Sequence, residues 1–503
     1  MLKWLGGGKS AHPLADEREA KATLDALRAS EPFQAVEDGR PWIESVSAAG
    51  DLKPEKCLEL VRQIEEALRM HQRKLAREYI FNAQLPKAQE ARVWGALFGL
   101  NRDLSQAYAR IVARLASEGG RSKGLPALAA VLAIQAASAQ LKWHYLHYEL
   151  SDPQAWEALV KSFRVAEERG ATREQVAGRE GPTTAERELL KALMLAASSP
   201  GCLLPKEIEL GERLVAHLGA KFILSETHQP RVTYYRIDLA EAAPPRRLVE
   251  TPAASPGMRF FAAGEAEADL DSLIKIAERG GVPSDLNLGD AWSGPTVLHV
   301  LRHLKTYWAT TPPVRKHDRH AIQHRMNLVH DMAGVSASLE GAAAGGGVPV
   351  AAAEAWLSEN ISAGGMCLVY EGVRSERIRV GSIVGVRVEG GSSACSAGVI
   401  RRCNQLPQRK VSIAVSSLAK ETFPVTLDGL AAPDALLLLN EGRHALNEVL
   451  VCLSENAYEP RISPTMKFNN ATFLLTPIEV CERGEDFELV RYRALRQAEA
   501  TAE

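Results

Sequence analysis

The feature that most constrains this chain is a change in hydrophobic period part-way along it. From about Leu14 to about Leu218 apolar residues recur every three or four positions, in a background rich in Ala, Leu, Glu and Arg. After Gly365 the dominant spacing is two. A helix turns every 3.6 residues and a strand alternates its faces residue by residue, so one chain must hold a helical part and a sheet part. The clearest helical stretch is Pro54 to Phe81, where Leu58, Leu60, Val61, Ile64, Leu68, Leu75 and Ile80 form one stripe opposite Arg and Glu. Pro54 stands where a first turn tolerates proline. Further helices are expected over Lys87–Glu118, Pro126–Leu150, Pro153–Glu168, Thr184–Ala197 and Lys206–Leu218, with punctuation such as GGRSKGLP and GREGPTT between them. They are unequal in length and share no repeated signature. The expectation for 1–218 is therefore an all-helical bundle or short solenoid that serves as an interaction region.

Near Lys221 the texture changes. KFILSE, RVTYYRIDL and MRFFAAG cluster β-branched and aromatic residues, and helical segments follow at Ala266–Arg279 and Gly294–Trp308, so 219–312 reads as a mixed α/β middle region. In 313–423 short alternating strands separated by Gly-rich turns indicate a small β-barrel or sandwich. Met366, Leu368 and Tyr370 alternate with Cys367 and Val369, and Val411, Ile413 and Val415 with Ser412 and Ser416. LLLLNEG, NEVLVCLSE, ATFLLTPIEVCE and DFELVRYRAL keep strand patterning, which makes 424–503 a β-rich extension. The fold class is thus multidomain α+β. At 503 residues, three or four folded units are expected at about 100–200 residues each. No window reads as the roughly 18 apolar residues of a membrane span, and Met1–Ser10 has no apolar core of a signal peptide, so a soluble cytoplasmic protein is expected. Seven scattered cysteines without C-x-x-C spacing imply reduced, mostly buried thiols and no metal centre.

Lys and Arg number 60 against 62 Asp and Glu, a net charge of -2 that argues against a polybasic surface. Locally the balance differs. Between Val314 and Lys420 thirteen Lys and Arg face eight Asp and Glu. Arg315 and Arg319 are spaced R-x-x-x-R in VRKHDRH, and Asn360, Ser362 and Gly365 are spaced N-x-S-x-x-G in SENISAGG, just before the strand MCLVY. Arg401 and Arg402 end the strand GVIRR. In these patterns, over roughly Val314–Phe423, the sequence resembles the PilZ family of cyclic di-GMP receptors. The family has an R-x-x-x-R segment at the N-terminal edge of its barrel and a [D/N]-x-S-x-x-G turn into a strand. The chain departs from it in a long interval between the two patterns, which holds the low-complexity insert GAAAGGGVPVAAAEA.

The chemistry suits the resemblance. Cyclic di-GMP has two anionic phosphates and two guanines, and a guanine edge displays the O6 and N7 acceptors that an arginine fork meets with two parallel hydrogen bonds. Arginine also stacks on purine faces. Asn360 and Ser362 offer small donors and acceptors, while Gly365 allows close backbone approach. The expected ligand site is Arg315, Arg319, Asn360, Ser362, Gly365, Arg401 and Arg402, binding cyclic di-GMP without any further cofactor. The resemblance implies a receptor that couples the second messenger to an unidentified protein partner of the helical region, with motility, pili or biofilm formation as output. The alternative is a nucleotide-independent helical scaffold or chaperone-like adaptor with a PilZ-type structural module.

Other signals carry less. GGGKS lacks the first glycine and the preceding strand of a phosphate-binding loop. His299 and His303 share a helix face without an intervening glutamate, and no G-x-S-x-G elbow is present, so no catalysis is expected. His317, His320 and His324 flank the arginine arm. KWHYLHYEL, with Trp143, His144, Tyr145, His147 and Tyr148, reads as a packed helix end or as a docking surface. The barrel strands lack an interleaved aromatic platform, which argues against nucleic acid as a partner.

Overall fold

Helices occupy the first part of the chain and strands the last. In a computed structural model, residues 10–82, 85–118, 124–149, 152–250, 255–311, 317–343, 353–372, 375, 377–390, 395–439 and 447–497 are described. Contacts divide the chain into two units, Met1–Pro200 with Pro205–Pro313, and Gly201–Leu204 with Val314–Glu503.

The first unit holds α1 (Glu17–Ala29), α2 (Pro32–Ala48), α3 (Pro54–Phe81), α4 (Lys87–Glu118), α5 (Leu125–Leu146), α6 (Pro153–Glu168), α7 (Ala185–Ala197), α8 (Pro205–Leu218), α9 (Ala266–Glu278) and α10 (Gly294–Trp308). Local chemistry starts several of them. Asp16 accepts hydrogen bonds from the N–H groups of Arg18 and Glu19, Asp152 from Gln154, Thr184 from Arg187 and Ser293 from Thr296, each satisfying an orphan donor of a first turn. Between α6 and α7 a hairpin of β1 (Val176–Gly178) and β2 (Gly181–Thr183) interrupts the helices, which the turn-like GREGPTT did not announce. A four-stranded sheet follows in the order β3-β6-β4-β5, from β3 (Ile223–Ser225), β4 (Tyr235–Asp238), β5 (Arg246–Arg247) and β6 (Met258–Ala262). Phe261 of this sheet, Leu270 of α9 and Trp308 of α10 share one buried core with Trp156, Phe163, Leu193 and Leu214 of α6–α8.

Helix α5 corrects the expectation about apolar windows. By length and composition it could cross a bilayer. Its side chains are instead buried on nearly all sides, with Ala130, Val131, Ala133, Ile134, Ala136 and Ala137 fully covered, as in the central helix of a bundle.

The second unit contains β7 (Arg325–His330), α11 (Asp331–Ala343), β8 (Glu354–Ser362), β9 (Gly365–Glu371), β10 (Ile383–Val388), β11 (Ser396–Leu406) and β12 (Lys410–Ser417). These strands close an antiparallel barrel in the order β10-β11-β12-β9-β8-β7. Helix α11 lies inside 313–423, where only short strands and turns were expected. The expected β-rich extension is a second closed barrel, made of β13 (Glu421–Asp428), β14 (Asp434–Leu439), β15 (Glu448–Ser454), β16 (Thr465–Phe468), β17 (Ala471–Arg483) and β18 (Phe487–Arg496). Its interior is filled by Leu427, Leu437, Val451, Leu453, Met466, Leu475, Val490 and Tyr492. Five of the seven cysteines are buried, Cys202 is half-buried and Cys481 is exposed.

Candidate functional site

The segment ahead of β7 continues that strand along the outer half of β8. Arg325 pairs with Leu357, and one residue earlier Ser358 donates its N–H to the His324 carbonyl at 2.9 Å. His320 and Ile361 then exchange N–H to carbonyl bonds, both 2.9 Å long. Extending this antiparallel register by one residue sets Arg319 opposite Ser362, and by three sets His317 opposite Gly364. A Cβ on Gly364 would stand 2.8 Å from His317 Cδ2, so the glycine makes room for the arm. The anchor is Ser358, which the motif reading missed. Its fully buried hydroxyl donates to the Ile322 carbonyl at 2.6 Å and accepts from the His324 N–H at 2.8 Å.

N-x-S-x-x-G is a two-residue hairpin. Asn360 and Ser362 belong to the end of β8, Ala363 and Gly364 make the turn, and Gly365 pairs back with Ser362. The expectation of a turn ahead of a strand is corrected to that extent, since two of its three residues lie on a strand of their own. The Ser362 hydroxyl donates to the Gly365 carbonyl at 3.0 Å, which fixes the rotamer and leaves the oxygen free to accept. Gly365 has φ +153°, and a Cβ there would collide with the Val415 carbonyl of β12.

Cross-strand pairing collects the other residues. Asn360 pairs with Cys367, Cys367 with Ala414 and Ala414 with Arg402, which makes one row across β8, β9, β12 and β11. Ser362, Gly365 and Ser416 form the neighbouring row on the same face. Three strand intervals separate Asn360 from Arg402, about 14 Å at the usual spacing. Between them the floor is small: Gly365, Cys367, Ser412, Ala414 and Ser416. Cys367 lies 3.5 Å from the Ser412 hydroxyl, and its thiol donates to the Glu359 carboxylate of the β8 bulge at 3.4 Å. Burial, helped by that carboxylate, pushes the thiol above the usual range, so Cys367 itself carries no charge at neutral pH while Glu359 brings one carboxylate to the edge of the floor. Arg319 is exposed, Arg402 is half-buried, and neither makes an ion pair among the described residues.

Two expected members stand apart. Arg315 lies outside the described residues. Arg401 is the unpaired residue of a β-bulge between Ile400 and Arg402, and the bulge turns it away toward Glu482 of β17. Both its terminal nitrogens donate to that carboxylate, Nη2 to Oε2 at 2.9 Å. A guanidinium held by two parallel bonds is already satisfied. Of the insert GAAAGGGVPVAAAEA, residues 344–352 are also outside the described residues, while its ends fall in α11 and β8.

Elsewhere, His299 is exposed while the His303 ring bonds the Ser198 carbonyl at 2.6 Å, and burial pushes His303 down to about 4. The two histidines do not converge. In KWHYLHYEL, Trp94 stacks on His147 at 4.3 Å and on Phe98 at 4.9 Å, and Glu149 lies within 3.3 Å of both His144 and His147. Those bonds hold the Glu149 carboxyl down at about 2 against the effect of burial. The aromatic patch is a packed helix end.

Residues 18–229, less than half of the chain, match the family model described as the N-terminal domain of the cyclic-di-GMP receptor FimW. Over that span the chain is similar to a domain of a cyclic di-GMP receptor. The match falls on α1–α8 and β3 and does not touch the barrels. No curated protein matches the chain.

Proposed function

We propose that the protein is a cyclic di-GMP receptor whose first barrel, of PilZ type, binds the dinucleotide on the outer face of β8, β9, β12 and β11. One observation carries this reading. The arm is paired onto β8 through His320 and Ile361, which brings Arg319, exposed and without an ion pair among the described residues, toward Ser362 beside a floor of small residues that ends at Arg402. Such a floor accepts a flat ligand, and the arginines at its edges meet phosphates and guanine edges. The similarity of residues 18–229 to a receptor domain agrees with it. Nothing in the arrangement calls for a nucleophile or a general base, so the role is binding. The helical unit would convey occupancy to a protein partner, and motility, pilus function or biofilm formation are the outputs proposed.

Titration calorimetry with cyclic di-GMP tests the site. A charge-assisted bond contributes about 1.5–3 kcal/mol, so Arg319→Ala or Arg402→Ala should weaken binding by roughly 10- to 150-fold. Arg401→Ala should change it far less, because Glu482 already holds that side chain. Absence of both heat and thermal shift with the unaltered chain would refute the proposal. The commitment of Arg401 to Glu482 is the one observation that favours the alternative, a nucleotide-independent scaffold, and the same null result would select it.

A further inference from the structure

The two barrels have the same topology. With the strands numbered one to six within each, the ring runs 1-2-3-6-5-4 in β7–β12 and again in β13–β18. The likeness extends to register. In both, the fifth strand bulges against the sixth, passing over Arg401 between Ile400 and Arg402 in the first barrel and over Ile478 between Pro477 and Glu479 in the second, where a further bulge passes over Cys481 between Val480 and Glu482. Arg401 stands five residues before the end of β11 at Leu406, and Ile478 five before the end of β17 at Arg483. Bulges are specific features of a strand pair rather than defects, so a bulge at the same place in two equal rings is a strong point of alignment.

Aligned there, the row Asn360, Cys367, Ala414, Arg402 of the first barrel corresponds to Leu438, Leu450, Arg491, Glu479 of the second. The chemistry has been replaced position by position. Arg402 has become a carboxylate, which pairs with Arg491 at 3.3 Å and repels an anion. Asn360 has become a leucine with 3% exposure. The face of small and polar residues on strands two, three and six is, in the second barrel, a face of Leu436, Leu438, Leu450, Cys452 and Leu489. It is covered. Leu436, Leu438, Cys452 and Phe487 share a buried cluster with Val329, Ile383 and Val399 of the first barrel and Val335 of α11.

We infer that the second barrel is a copy of the first that has exchanged ligand binding for docking. The face that takes the dinucleotide in the first barrel is, in the second, the surface that grips its neighbour. The chain therefore holds its nucleotide on the first barrel alone, a statement that rests on the receptor reading, whereas the docking does not.

Two measurements on the full chain test this. Cys395 and Cys452 lie on the first-barrel and second-barrel sides of the shared cluster, while Cys481 is exposed. Alkylation mapped by mass spectrometry should label Cys481 at once and spare the other two. Leu438→Asp should make Cys395 and Cys452 reactive together, with Cys403, buried on β11 outside that cluster, still protected. If that variant fails to fold, the unaltered protein in rising urea gives the same test, since Cys395 and Cys452 should open with one urea dependence. Native reactivity of Cys452 close to that of Cys481, or opening of one thiol without the other, would overturn the docking. For the ligand, Asn360→Ala with Arg402→Ala should abolish cyclic di-GMP binding, and Arg491→Ala alone should leave it unchanged. Residual binding that disappears on adding Arg491→Ala would overturn the single-site inference. If the unaltered chain takes no cyclic di-GMP, the receptor reading fails and the thiol measurement alone decides the docking.

Discussion

Replacing Asp486 by asparagine should stabilise the paired barrels at neutral pH. Asp486 sits in the β17–β18 turn and accepts the Ile383 N–H at the start of β10 with a 2.8 Å bond, while Glu485 beside it donates its N–H to the Gly381 carbonyl at 2.9 Å. The turn thus hooks the second barrel onto the first. Burial first, and then the neighbouring charges of Glu485 and Asp331, push the Asp486 carboxyl from an ordinary 3.8 up to about 6. The fold therefore holds this proton more tightly than the unfolded chain does. Stability from this group is full below about pH 4 and is lost as pH rises through about 6. A span of about two pH units at 1.36 kcal/mol each comes to about 3 kcal/mol. The side chain is only half-buried, and screening by water reduces this to about 1–2 kcal/mol. Asparagine keeps the acceptor for Ile383 without ever carrying the charge. The variant should then be about 1–2 kcal/mol more stable at pH 7.5 and gain only about a third of that at pH 4.5. Hydrogen exchange read by mass spectrometry on peptides of β10 and β15, against the unaltered chain at each pH, measures the difference. Equal gains at both pH values, or weaker protection of the variant at pH 7.5, would refute the reasoning.

Three further substitutions have expected outcomes. Phe487→Ala removes a fully buried ring from the cluster between the barrels and should cost about 3–5 kcal/mol, with β10, β11, β14 and β15 losing exchange protection together. Gly365→Ala drives a methyl group into the Val415 carbonyl. It should cost about 1–3 kcal/mol in thermal unfolding, accompanied by weaker binding of cyclic di-GMP as β9 shifts against β12. In the first unit, Ser198→Ala leaves the buried Trp308 indole N–H without its 2.9 Å acceptor and should cost about 1–3 kcal/mol, read from the denaturant midpoint by tryptophan fluorescence.

The helices were legible because their signals are local. Pro54, Pro153 and the cap at Ser293 mark the starts of α3, α6 and α10, and the apolar stripes between caps and breakers fix their lengths. Where the local signal is weak or ambiguous, the reading failed. Helix α11, DMAGVSASLEGAA, is built of small residues with little contrast between its faces, and the strands of the β1–β2 hairpin are three residues long. Closure of the second barrel depends on β13 meeting β16 through Leu427–Met466 and Asp428–Thr465, contacts that leave no trace in a short window. The same limit divides the candidate site. The residue types in N-x-S-x-x-G are visible in the sequence, but Arg401 and Arg402 are adjacent letters that a bulge sends to different places. The partner that claims Arg401, Glu482, stands 81 residues away. Ser358 was overlooked because a serine inside a strand pattern has no local mark of the arm it anchors.

The docking of the barrels bears on why one of them can afford a polar face. A six-stranded barrel has an outer surface as well as an interior, and the first barrel already presents Val329, Ile383, Ala397 and Val399 outward on β7, β10 and β11. Left uncovered, that surface would be an apolar patch of the kind that drives association. Covered by Leu436, Leu438 and Phe487, it contributes burial instead, and the adjoining outer face on β8, β9 and β12 is left free for small and polar residues. Serine, glycine, alanine and a protonated cysteine can then line β8, β9 and β12 at little cost to stability, as the proposed floor for a flat anionic ligand requires. On this argument the second barrel supports binding from the strand next to the proposed floor, since Val399 of the covered patch pairs with Ser416. Loosening the contact between the barrels, by Phe487→Ala for instance, should weaken the dinucleotide without altering any residue that touches it.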